Sequence, residues 1–181
     1  MKSLLFTLFL IASTAAFTQN NAAPTAPPTE AQRSFDKLKS LAGTWEAKVT
    51  TDPPAPDMNG AVLEVTMRVT SRGNALVHEM QEANTPLDAT KYDHPVTMFY
   101  LDEGRLTLVH YCDAGNRPRM VATTLPDGKI DFAFADISGD MKYHMHHSTF
   151  TIVDANHHIE EWTFMMGDKP IHARMDLQRK N

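Results

Sequence analysis

From Thr44 onward, apolar and polar side chains alternate with a period of two, and the alternation is broken only by short clusters rich in Gly, Pro, Asn and Asp. Such alternation marks β-strands with one buried face. The first strand is expected at 44–51, with Trp45, Ala47 and Val49 on one face and Thr44, Glu46 and Lys48 on the other. Prolines 53, 54 and 56 then end it, because proline cannot stay in a central ladder. The clearest alternation lies at 61–70, where Leu63, Val65, Met67 and Val69 oppose Glu64, Thr66 and Arg68. Further strands are expected at 75–81, 96–101, 106–112, 117–125, 130–137, 143–153, 159–166 and 171–178. Turn residues around Gly73, Gly104 and Gly128 connect several of them as hairpins. Upstream, only 31–42 carries a helical period, with Phe35, Leu38, Leu41 and Ala42 on one face. Thr29 or Ser34 is placed to cap this helix, and Gly43 to stop it.

About ten strands joined mostly by tight hairpins predict an all-β fold, an up-and-down antiparallel barrel with a short N-terminal lid helix over 31–181. A two-sheet sandwich is the alternative. Such a barrel is wide enough to enclose space that side chains do not fill.

The first residues have a different logic. Lys2, the apolar run 4–11 and the small residues Thr14, Ala15 and Ala16 have the order of a secretory signal peptide, expected at 1–16. That run is too short to span a bilayer, so no integral membrane segment is expected after cleavage, and the location is periplasmic or secreted. Residues 17–30, rich in Pro, Ala and Thr, read as a flexible linker. The single cysteine, Cys112, allows no intramolecular disulfide, so burial must hold the fold. A net charge of −5 without a basic stripe argues against nucleic acid as a partner.

Candidate chemistry centres on nine histidines, eleven methionines and a pair of arginines. His144 and His146 share a strand face at a spacing that lets two imidazoles approach one metal, or simply hydrogen-bond. Which face of that strand is interior stays open. His110 shares its face with Cys112, Leu106 and Leu108, and His78 lies with Leu76 and Met80 on a mostly apolar face. Either imidazole is suited to orient a ligand in an apolar pocket. Arg117 and Arg119 are close enough to grip a carboxylate together, or to pair with acidic surface neighbours. Glu160 and Glu161 point to opposite faces and make a poor acid–base pair. Methionines on the strands suit a pocket that accepts varied apolar shapes, and suit plain core filling equally.

The run Gly43, Thr44, Trp45 after the short helix resembles the start of the first strand in the calycin superfamily, the lipocalins and their lipocalin-like relatives. The stretches 96–101 and 110–120 also look like exported, lipocalin-like bacterial proteins of uncharacterised function. The resemblance implies a closed barrel with Trp45 sealing one end, and carries no activity. The same Gly-x-Trp start resembles the nitrobindin-type haem barrels, with Ala47 and Val49 where those have glycines. The leading reading is an exported barrel that binds a small apolar or amphipathic ligand through Trp45, His78, His110, Arg117, Arg119 and Met120, with no cofactor. Alternatives are an enzyme using the cavity, a hydrolase or isomerase acting through His78, His110 or Arg119, and a haem- or metal-binding barrel. A structural module with a filled interior is a further one.

Overall fold

Ten antiparallel strands close into one barrel in a computed structural model that describes residues 26–180. The signal segment expected at 1–16, and residues 17–25 of the linker, lie outside the described residues. The strands are β1 (Gly43–Asp52), β2 (Val62–Thr70), β3 (Ala75–Glu82), β4 (Val96–Asp102), β5 (Arg105–Tyr111), β6 (Arg117–Thr124), β7 (Ile130–Ser138), β8 (Tyr143–Asp154), β9 (His157–Met166) and β10 (Lys169–Arg179). Each pairs with its sequence neighbours, and β1 closes the ring onto β10. The sandwich is therefore excluded, because full closure leaves no sheet edge.

Helix α1 (Glu30–Lys39) covers one end. Of the two candidate caps, Thr29 does the work, its hydroxyl accepting the Gln32 N–H at 3.2 Å. Ser34 instead faces inward and bonds the Thr124 hydroxyl at 2.7 Å, tying the helix to the end of β6. Phe35 and Leu38 are buried beneath the helix in the same core as Trp45. The indole N–H of Trp45 donates to the Leu41 carbonyl at 2.8 Å, and the guanidinium of Arg179 lies 4.1 Å over its ring. Gly43 is needed here for two reasons. Its φ is +141°, where side chains strain the backbone, and a Cβ would collide with the Arg179 guanidinium.

At the opposite end the connections are longer, at 53–61, 83–95, 112–116 and 139–142, and they form an open mouth. One seam of the wall is thin. β7 and β8 pair only from Ile130–Phe150 to Ala133–His147, and bulges interrupt both the β6–β7 and β8–β9 ladders nearby. Phe134, His144 and His146 fill the resulting wedge, with Phe134 and His146 stacked 4.9 Å apart. Among the described residues, no helix is long and apolar enough to cross a membrane.

Candidate functional site

The inward face of β9 carries His158, Glu160, Trp162 and Phe164, and it builds the centre of the barrel. Glu160 is 0% exposed, yet its carboxylate is fully partnered. It accepts from His78 Nε2 at 3.1 and 3.2 Å, from His158 Nε2 at 3.0 Å and from the Trp162 indole at 2.9 Å. Burial alone would raise this carboxyl, but the His78 and His158 imidazoles outweigh it and hold the pKa well below the usual carboxylate range. Aromatic rings wall in the group, Phe99 and Phe150 lying against His78 with centroids 6.3 and 6.4 Å away.

Beside this cluster, His110 Nδ1 meets the Thr97 hydroxyl at 2.9 Å, directly across the β4–β5 ladder. Its Nε2 has no partner although the residue is only 2% exposed. Burial, and secondarily His78, pushes the His110 pKa down to about 4, so its imidazole is neutral at physiological pH. Ser148 Oγ and His158 Nδ1 are likewise buried without partners. As chemistry, a buried carboxylate between two imidazoles resembles a proton-transfer device. Here it is closed off, because His78 and Glu160 are 1% and 0% exposed.

The usable space lies on the mouth side of Trp162. A cavity of about 60 Å³ is lined by Val49, Leu63, Met80, Met145, Trp162 and Met175, among others, and is almost wholly apolar. It opens into a recess of about 490 Å³ at the mouth, sharing Val49, Met58, Leu63 and Met80 as walls. A depression of about 540 Å³ elsewhere is larger, but it runs over the outer wall past Thr50, His147, Glu161, His172 and Arg174. The mouth is the better candidate, since the inward-facing Val49, Leu63 and Met80 carry its walls down to the inner cavity.

The expected site residues fall into three groups. His78 and His110 come together around Trp162, with ring centroids 5.8 and 5.7 Å from its indole. Trp45 and Met120 are both fully buried in the packed core, and neither lines the cavity. Arg117 and Arg119 require a correction. Met120 is the inward residue of β6, so its neighbours in the alternation turn outward. Arg119 forks onto Asp136 across the bulged β6–β7 ladder and Arg117 bonds the Ser138 hydroxyl, leaving neither to hold a head group inside.

His144 and His146 hydrogen-bond each other, Nε2 to Nδ1 at 3.1 Å, while His144 Nδ1 donates to the Met141 carbonyl at 2.7 Å. No third His, Cys, Asp or Glu donor joins them among the described residues. The three-donor grouping that does form there is Asp93, Cys112 and Asp113 at the mouth, two exposed carboxylates and a thiol that burial pushes up. Cys112 lies beyond the end of β5 and is not hydrogen-bonded to His110, whose Nδ1 is taken by Thr97.

The residues not anticipated as site residues are Glu160, His158, Ser148, Trp162 and Met58. For β9 the signal was present: Glu160 shares its parity with Trp162 and Phe164, the apolar set that marks the inside.

No family model matches the chain, and no curated protein does. Among solved structures, the crystal structure of Rv2717c from M. tuberculosis is similar, with a TM-score of 0.55 at 15% identity, covering 82% of this chain and 98% of that one. At that identity the likeness is one of fold.

Proposed function

We propose that the barrel binds a small apolar or amphipathic molecule at the mouth opposite α1, with its apolar end against Trp162. The observation that carries this is the continuous apolar lining from Met58 and Leu63 at the opening to Trp162, Met145 and Met175 below. The inner cavity of about 60 Å³ is small, whereas the recess of about 490 Å³ is of the size that holds a ligand. Typical small-molecule sites occupy roughly 300–1,000 Å³. Four of the lining residues, Met58, Met80, Met145 and Met175, are methionines, whose unbranched thioether chains can move to widen the inner cavity at little cost. Trp162 gives the floor a flat aromatic surface, and it separates the ligand from the charged cluster of Glu160.

The proposal takes the chain as an exported, lipocalin-like protein. Its supports are the order of Lys2, the apolar run and Ala16, and the Gly43, Thr44, Trp45 entry into β1. Native mass spectrometry of the purified protein, before and after adding dodecanol, tests the binding reading. A stoichiometric adduct that Ala173→Leu removes supports it, because Ala173 lines the inner cavity and a leucine would fill it. An adduct that survives the substitution places the ligand elsewhere.

A further inference from the structure

The mouth has a charge asymmetry that bears on which end of a ligand faces out. Asp57, Glu82 and Asp93 line the recess, and the lone ammonium among the lining residues is Lys91. Lys91 is already committed to Asp88, 3.2 Å away. Lys48 lies against Gly60 and does not line the recess. Asp113 adds a further carboxylate within 4.8 Å of Asp93 and Cys112. Burial, and then the neighbouring Asp113, raises the Asp93 carboxyl, outweighing the Asp113 backbone N–H and the nearby His94, which lower it. Tyr92 stands in the same rim, its ring available to a cation's face. The apolar walls begin beside these acids: Leu63 stands directly across the β2–β3 ladder from Glu82, and Met80 follows two residues further down the same face.

We propose that the ligand is a cationic amphiphile, its alkyl portion seated among Met58, Met80, Met145 and Trp162 and its ammonium group at the rim of Asp57, Glu82 and Asp93. This rests on the binding reading above and adds the sign of the head group. Carboxylate ligands are disfavoured at the same place, since each would meet three like charges against one lysine that already pairs with Asp88. Met58 and Tyr92, both partly exposed beside these carboxylates, shield the junction of head and tail from water.

The test compares dodecyltrimethylammonium, dodecanol and dodecanoate by isothermal titration below their critical micelle concentrations. The expected order is cation, then alcohol, then anion, with the cation bound roughly tenfold tighter than the alcohol at low salt. The advantage should shrink as salt screens the rim. Combining Asp57→Asn, Glu82→Gln and Asp93→Asn, all at exposed positions, should abolish the difference between cation and alcohol. Equal affinities in the wild type, or preference for the anion, overturn the charge assignment while the cavity reading stands. Failure of all three probes to bind overturns the cavity reading and this inference with it.

Discussion

Replacing His110 by phenylalanine should flatten the acid side of the stability profile. The imidazole is buried, neutral and bonded through Nδ1 to Thr97, with Nε2 left bare. Its pKa falls from 6.5 to about 4 on folding, burial being the larger cause and His78 the smaller. The folded state therefore resists a proton that the unfolded chain accepts. Stability is whole above the unfolded value of 6.5 and is lost as the pH falls toward the folded value of about 4. At about 1.36 kcal/mol per unit, the loss carried by this one group approaches 3 kcal/mol by pH 4. Phenylalanine cannot titrate. It removes the orphaned nitrogen and leaves the Thr97 hydroxyl without its partner, two effects of about 1–2 kcal/mol that oppose each other near pH 7. Urea unfolding of wild type and His110→Phe, followed by Trp fluorescence at steps from about pH 7.5 to 4, gives the difference directly. The variant should start close to wild type and end about 3 kcal/mol more stable relative to it. Should the ring prove too large for the site, His110→Gln keeps a polar partner for Thr97 and must show the same relative gain. Parallel profiles for wild type and both variants across this range would refute a buried neutral His110.

Glu160→Gln should cost about 3 kcal/mol at neutral pH, since it exchanges charge-assisted bonds from His78, His158 and Trp162 for weaker or mismatched ones. Because the folded carboxyl titrates below its unfolded value, wild type loses this advantage as the pH drops below the ordinary carboxylate range, and the gap between the two proteins narrows there. Urea midpoints at neutral and strongly acid pH check both parts. Trp45→Ala should cost on the order of 3–5 kcal/mol, the range for a fully buried aromatic, and an unchanged thermal midpoint would contradict its place beneath α1. Arg119→Ala should leave both the midpoint and probe binding near wild type, because its side chain pairs with Asp136 on the outer wall. A selective loss of anionic probe binding in that variant would instead return Arg119 to the site.

The alternation that predicts ten strands survives in the structure almost residue for residue, because a barrel with one packed face imposes period two on every strand. The β2 run, expected at 61–70 and found at Val62–Thr70, shows how little the boundaries move. Facing was harder. On β6 Pro118 sits between two arginines with no clear apolar set near the mouth, so Arg119 could be placed inward, and the burial of Met120 between Leu108 and Phe134 on the flanking strands decides otherwise. On β8 a bulge between Met145 and His147 resets the alternation, which a strict period of two cannot register. The Glu160 cluster was missed for another reason. Parity alone puts Glu160 on the inward face of β9, but nothing local in the sequence shows that His78, 82 residues earlier, will meet it. Met58 lies on a loop, where hydrophobic periodicity says nothing.

The most direct test of ligand binding at the mouth uses the two tryptophans. With Trp45→Phe in place, the remaining emission belongs to Trp162, the floor of the cavity. Titration with a dodecanol brominated near the chain terminus should quench that emission saturably, and Ala173→Leu in the same background should remove the effect. Quenching that only rises linearly with probe, or that persists unchanged after Ala173→Leu, would contradict a ligand seated against Trp162.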